Sequence, residues 1–399
     1  MRLPRQLNIT SKEEAFREMS SIGVDAVGIH LMASKLRHLN LKIEGLTCPQ
    51  ANILKQEMLS IGGEAAVAKG VITCDISGSD AILSGTEKQL QAVIKKLNMQ
   101  PFGLKKVAIA IKSALDNIYQ QEIIFETRKQ KLLLGKQTLI MGILNVTPDS
   151  FYDGGHYFKK GNAVNKALQM AEEGADIIDV GGESSRPGSK AVTLKEELTR
   201  VMPVVKQIAK RSAVLISVDT TKAEVAEQAI DAGADIINDV SAMRFDPNMA
   251  RVCAKNKTGV ILMHMRGTPA TMQMDIHYND IISDIFNYLA ERVSFAVKGG
   301  VRRERIAIDP GIGFGKNIEG NLEIIKRLSE FNAIGRPIVI GTSRKSFIGK
   351  VLGLETKDRL EGSIATIAAS VLNGAHIVRV HDVKEARMAA DMVDAIKKS

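Results

Sequence analysis

Residues 214–240 read VLISVDTTKAEVAEQAIDAGADIINDV. The stretch opens on a nearly continuous apolar run, as strands covered on both faces do. AEVAEQAIDAGAD then spaces its apolar residues for an amphipathic helix. Gly233 stands where such a helix would end, just before the chain enters a second β-rich run, ADIINDV. The reading is strand, helix, strand. The same ending recurs as EEGADIIDV (172–180) and is echoed by VLNGAHIVRV (371–380). This is the internal repetition of a βα array.

Working outward, eight β-rich runs end in polar residues and are separated by helical segments. They are TLIMGILNV (138–146), ADIIDVGG (175–182), VLISVDT (214–220), ADIINDV (234–240), GVILMHM (259–265), RIAIDPG (305–311), PIVIGTS (337–343) and HIVRVH (376–381). Eight units over this length match a closed (β/α)8, or TIM, barrel. An open doubly wound sheet normally has fewer strands and a glycine fingerprint after its first strand. The predicted fold class is therefore α/β, a (β/α)8 barrel over 129–399, preceded by a smaller α+β domain over 1–128.

In that first domain Ser11 caps a helix, and LKIEGL (41–46) and DAILSGT (80–86) read as strands. PQANILKQEMLSIGG and EKQLQAVIKKL read as helices, with AVAKGVITCDI as one or two strands between them. KKVAIAIKSALDNIYQQE predicts a helix leading to the barrel, and the charged stretch ETRKQKLLLGKQ (126–137) is the expected junction. No motif in this part names a chemistry.

The 399 residues are 45% hydrophobic and 25% charged, ordinary for a globular protein with two cores. No apolar run reaches the ~18–20 residues that span a bilayer, and the first residues lack the apolar region of a signal peptide. Three widely spaced cysteines, Cys48, Cys74 and Cys253, predict a reduced, cytoplasmic protein without disulfides. The net charge of +9 divides into +6 over 1–136 and +3 over 137–399, with no basic run of five and no interleaved aromatics. That distribution argues against nucleic acid and suits diphosphate-bearing substrates.

A barrel carries its site where the strands end. The first run ends in Asn145, whose amide inside an apolar strand needs partners, either a substrate oxygen or a metal ion. GGESSRPGS (181–189) offers Ser185 and Arg186 to an anion, or is simply a loop. Asp219 closes an apolar strand, where a carboxylate is costly unless paired or functional; it is alternatively the cap of the helix that begins near Lys222. Asn238 and Asp239 lie on the fourth run, and Asp309 ends the sixth. DPGIGFGK (309–316) is neither a P-loop nor a GxGxxG fingerprint, and its Phe314 is placed to stack on a planar ring. The seventh run leads to Arg344, Lys345 and Ser346. Arg379 and His381 share one face of the eighth strand, beside Lys345 on its neighbour. The other histidines, His264 included, read as structural. Together Asp219, Asn238, Asp309 and Lys345 suit a heterocycle with adjacent N–H donors, and Arg379 and His381 suit an attached phosphate.

LNVTPDSFYDGG, GGESSRPGS, VDTTKAEVAEQAIDAGADIINDVSA, DPGIGFGK, GTSRKSFIG and VRVHDV together resemble dihydropteroate synthase, in order, over 137–399. The resemblance implies condensation of 7,8-dihydropterin diphosphate with 4-aminobenzoate. It implies that Asp219, Asn238, Asp309 and Lys345 hold the pterin, and that Arg379 and His381 bind the diphosphate. It places Asn145 beside a diphosphate-bound Mg2+. Asp149, Phe151, Ser185, Arg186 and Pro187 would belong to two loops that close over the aminobenzoate, with Phe314 and Ser346 also contacting substrate. The resemblance makes Asp219, Lys345, Arg379 and His381 the expected catalytic residues. The family often has Thr at the position of Ser185, and is expected to be a homodimer. The competing readings are a pterin-binding methyltransferase using methyltetrahydrofolate, which has no need of the Arg379 and His381 pair, and an aldolase with Lys345 as its Schiff-base lysine. The N-terminal part is expected to be a non-catalytic module rather than a second, fused enzyme.

Overall fold

The computed structural model describes residues 3–146, 160–183, 192–268, 271, 272 and 276–399. The chain divides into two compact units, Met1–Tyr119 and Gln120–Ser399.

The first unit is α+β. Strands β1 (His38–Thr47), β2 (Glu64–Val67) and β3 (Gly78–Thr86) form an antiparallel sheet in the order β1-β3-β2. Helices Cys48–Ser60, Glu87–Leu97 and Leu104–Ile118 bury Leu54, Met58, Leu90, Leu97, Leu104 and Ile111 in one core with Leu46 and Leu83. Thr47 and Thr86 each close a capping box with the Gln three residues on, satisfying backbone donors at the helix start. Three expectations change here. A helix, Ala26–Leu36, forms behind the Asp25 cap, where the sequence reading had none. Only the first two residues of AVAKGVITCDI lie in a strand; a 3-10 turn at Lys69–Val71 follows. The helix Leu104–Ile118 packs into this first unit's core instead of leading to the barrel.

The second unit begins with an antiparallel hairpin, β4 (Ile123–Glu126) and β5 (Lys131–Leu134). Eight parallel strands follow: β6 (Leu139–Asn145), β7 (Ile177–Gly181), β8 (Leu215–Asp219), β9 (Ile236–Asp239), β10 (Gly259–Met263), β11 (Ile306–Asp309), β12 (Val339–Ile340) and β13 (Ile377–Val380). Each expected run contains one of them. They pair in the order β11-β10-β9-β8-β7-β6-β13-β12, and a parallel bridge between Ile308 and Ile338 joins the two ends. Helices alternate with the strands, so the (β/α)8 barrel forms as the periodicity predicts. Among the described residues no helix is long and apolar enough to cross a membrane.

Alternation along each strand divides the core in two. Ile140, Ile178, Ile216, Ile237, Val260 and Val378 pack outward with the helices. Met141, Ile177, Leu215, Ile236, Ile261, Ala307, Val339 and Ile377 form a separate inner cluster. Ile123, Phe125 and Leu134 of the hairpin belong to that inner cluster, with Phe125 fully buried. The stretch read as a junction is thus an ordered plug at the N-terminal end of the strands. Glu126, almost fully buried, pairs with Lys131 within the hairpin and fastens it to Arg302 and Arg305 at 3.1 and 3.3 Å.

Phe125→Ala should cost about 3–5 kcal/mol of barrel stability through the cavity it leaves, read by urea unfolding. A chain starting at Gln120 should keep the wild-type barrel midpoint, whereas one starting at Lys131, lacking β4, should unfold at clearly lower urea. Equal midpoints for the two truncations would remove the plug's structural role.

Candidate active site

The apolar inner layer sets the parity for everything beyond it. Two residues after Ile177 comes Asp179, and two further Gly181. The same step takes Leu215 to Ser217 and Asp219, Ile236 to Asn238, Ala307 to Asp309, and Ile377 to Arg379 and His381. Period-two geometry on parallel strands therefore delivers acids, an amide and bases to one end of the barrel.

Arg379 is the centre of this group. Its Nε donates to Asp179 Oδ2 at 2.7 Å and its Nη2 to Asp219 Oδ2 at 3.1 Å. Asn238 Nδ2 donates to the same Asp179 oxygen at 3.1 Å, which fixes the orientation of its amide. Asp179 was missed in the sequence reading, although it sits in a quoted strand. It is wholly buried, and its Oδ1, like the Ser217 hydroxyl, has no hydrogen-bond partner among the described residues. Unpaired buried oxygens next to a ligand pocket are places for ordered water or substrate. Burial pushes the Asp219 carboxyl up to about 7, against the pull of Arg379 and with a further push from Asp179. Asp219 does not cap the following helix: the Ala223 N–H donates to Asp246 at 2.8 Å. Asp239 faces away from this group, spent on Ser241 and the Met243 N–H.

Asp309 accepts from the Gly311 N–H at 2.7 Å, and burial raises its carboxyl despite that bond and the nearby Lys345, Arg379 and Lys316 charges. Gly311 has φ +72°, and a Cβ there would lie 2.0 Å from the His264 carbonyl oxygen, so no other residue fits the turn. Lys345 donates to the Ile312 carbonyl and holds its ammonium 4.5 Å from the centre of the Phe314 ring. Withdrawal from water brings the Lys345 amine down to about 8, opposed by Asp309. Phe314 sits among Val240, Met263, Met265 and Met272. A second lysine that sequence reasoning passed over, Lys316, is buried; its Nζ meets His264 Nδ1 at 2.9 Å and the Phe314 carbonyl at 3.0 Å. It ties the end of β10 to the turn that carries Phe314. Burial lowers both the Lys316 amine and the His264 imidazole well below their ordinary values.

Arg344 and Ser346 are not alike. Arg344, at φ 54°, grips Asp382 through two bonds of 2.8 Å and donates to the Thr356 and Lys357 carbonyls, so it braces the loop instead of meeting a ligand. Ser346 is exposed at the start of helix Ser346–Leu352. His381 is held by Ser343: the His381 N–H donates to the serine oxygen at 3.2 Å, and the hydroxyl meets Nδ1 at 3.1 Å. With its oxygen accepting from the backbone, the hydroxyl proton is available to Nδ1, which favours the tautomer protonated at Nε2. Asn145 ends β6, half-buried; a Cβ on Gly181 would stand 3.6 Å from both its Oδ1 and the Asp219 Cβ. Asp149, Phe151, Ser185, Arg186 and Pro187 lie outside the described residues.

The fold and these side chains define a (β/α)8 enzyme with an acid-, amide- and base-lined pocket at its strand ends. Residues 141–381 match the family model described as pterin binding enzyme. The chain is 45% identical to dihydropteroate synthase of Bacillus subtilis over 276 residues, 69% of this chain and 94% of that protein. A solved Xanthomonas albilineans dihydropteroate synthase with 4-aminobenzoic acid superposes with a TM-score of 0.66 at 39% identity, covering 70% of this chain and 99% of that one. A Halobacterium salinarum protein named as a probable bifunctional folylpolyglutamate synthase/dihydropteroate synthase is 41% identical over 98% of this chain, which spans 47% of that protein's length. The chain belongs to the pterin-binding enzymes and, within them, to the dihydropteroate synthases.

The raised Asp219 carboxyl fixes a sign. Between its ordinary value and about 7 the folded protein binds a proton that the unfolded chain has released, so this group makes stability fall as pH rises from about 4 to 7. Asp219→Asn should flatten that segment of a urea-unfolding series across pH. A variant curve parallel to wild type would contradict it.

Proposed function

We propose that the chain condenses 6-hydroxymethyl-7,8-dihydropterin diphosphate with 4-aminobenzoate, giving 7,8-dihydropteroate and diphosphate. The observation that carries this is the shared barrel end, where Asp219, Asn238, Asp309 and Lys345 stand with Arg379 and His381, in a chain 45% identical to a dihydropteroate synthase over 94% of that enzyme's length. The heterocycle's N–H edge is read by the carboxylates of Asp309 and Asp219, and Lys345 donates to a ring acceptor. Burial keeps both acids short of water, so each hydrogen bond they make to a ligand replaces little hydration. The C–O bond to diphosphate breaks with its electron pair on the departing oxygen, and Arg379 and His381 stabilise that charge. The aromatic amine then forms the new C–N bond and loses a proton. No protein nucleophile is required.

We assign Mg2+ to the Asn145 side of the pocket. A hard cation of this kind takes one protein oxygen and completes its shell with substrate phosphate and water, which suits a lone amide near Asp219. When bound it supplies positive charge to the leaving group.

The N-terminal unit is proposed as a non-catalytic module. The Bacillus subtilis relative is matched over nearly its whole length by 69% of this chain, close to the share held by the barrel unit. We propose a homodimer through the last helices. Met388, Met392 and Ile396 repeat every four residues along helix Val383–Lys398, each more than half exposed, and Leu372 of helix Leu360–Leu372 is exposed as well.

Diphosphate release should depend on 4-aminobenzoate, and Lys345→Ala should lower kcat/KM by roughly 100-fold or more, the scale of losing a charged contact in a closed site. Amine-independent release by wild type would overturn the assignment. Met392→Glu should turn the dimer into a monomer in sedimentation velocity; a monomeric wild type would end that part of the reading.

A further inference from the structure

The N-terminal unit carries two thiols that the condensation does not use. Cys48 is the first residue of helix Cys48–Ser60, buried, and its thiol donates to the Ile76 carbonyl at 2.8 Å. Cys74, two residues before Ile76, is exposed and adopts φ 55°, a conformation few residues other than glycine take. Its thiol turns back toward the Val71 carbonyl at 3.6 Å. Asn52, one helical turn after Cys48, donates to that same carbonyl at 2.7 Å and approaches Cys74 Sγ at 4.0 Å. Cys74 stands close enough to raise the Cys48 thiol, next to the larger effect of burial. One segment, 71–76, is therefore folded so that a surface thiol lies against a buried one at a helix start. The third cysteine, Cys253, is buried in the barrel core, where loss of water pushes its thiol up to about 12.

We propose that Cys48 and Cys74 form an oxidisable dithiol that closes to an intramolecular disulfide under peroxide. The exposed sulfur reacts first, since access and thiolate character govern the rate. The Cys74 thiolate attacks hydrogen peroxide: an S–O bond forms, the O–O bond breaks, and hydroxide leaves and is protonated to water. Cys74 is then a sulfenic acid. Cys48 attacks that sulfur, the S–S bond forms, the S–O bond breaks, and the departing hydroxide takes the Cys48 proton as a second water. Two thiols and one peroxide give one disulfide and two waters. The product fastens the connection between β2 and β3 to the start of helix Cys48–Ser60. That connection holds only a short 3-10 turn of regular structure, so a covalent tie there adds to the turn and side-chain hydrogen bonds that hold it.

The test uses the full chain, treated with sub-millimolar hydrogen peroxide in native buffer, then alkylated and digested. Titratable thiols should fall from three to one, a Cys48–Cys74 peptide pair lighter by two hydrogens should appear, and a phosphine reductant should reverse both. Cys48→Ser should leave Cys74 as a sulfenic acid trapped by dimedone, and Cys74→Ser should leave Cys48 reduced. A glutathione redox series on the wild type gives the second readout and should show the pair closing as the buffer becomes oxidising. The proposal fails if the thiol count stays at three, if Cys74 passes to sulfinic acid with Cys48 intact, if the only disulfide joins two chains, or if the pair stays reduced throughout the series.

Discussion

Arg379 donates to Asp179 and Asp219 from the inside of a closed ring of strands. Three charged groups taken from water cost several kcal/mol each before pairing, and removing one partner of such a set typically costs about 3–5 kcal/mol. Here one cation faces two anions, so the set is short of positive charge. Burial above all, with a smaller push from Asp179, leaves Asp219 holding its proton until near neutrality, and the charge deficit makes the pocket receptive to a ligand that brings N–H donors. Asn238 is drawn in by the same Asp179 oxygen. The positions of β7, β8, β9 and β13 at the site all refer to this one guanidinium.

Much of this was legible because parallel barrel strands are simple to read. Continuous apolar runs, helix-ending glycines and polar strand ends gave the fold and located Asp219, Asn238, Asp309, Lys345, Arg379 and His381. Asp179 escaped because it lies in mid-strand, where the eye expects core; its parity with Ile177 and Gly181 was the available signal. Lys316 escaped for a different reason. Its partners are a ring nitrogen at the end of β10 and backbone carbonyls of His264 and of its own turn, and carbonyls leave no trace in a sequence. The bracing role of Arg344 was hidden for the same cause, since only the fold shows that Asp382 and two carbonyls occupy it.

The hairpin shows how charge misleads. ETRKQKLLLGKQ is rich in Lys and Arg and reads as a solvated junction, yet it completes a hairpin that places Ile123, Phe125 and Leu134 inside the barrel, while its Lys131 joins Arg302 and Arg305 around the buried Glu126. Composition averages over a segment, whereas a strand sorts its residues to two sides. The short helix Ala26–Leu36 was hidden in the opposite way. Its exposed Val27 and Leu31 blur the contrast between faces that marks an amphipathic helix.

Arg344 precedes Lys345, and Asp382 follows His381. The ion pair between them therefore bolts together the chain ends of two neighbouring strands, just outside the pocket. One of the bolted residues stands next to Lys345, proposed for the ring, the other next to His381, proposed for the diphosphate. Such a brace acts as a gauge: it sets the spacing between Lys345 and His381 while contributing neither of them. A change in the distance between those two side chains would thus be set by a salt bridge one residue away from each.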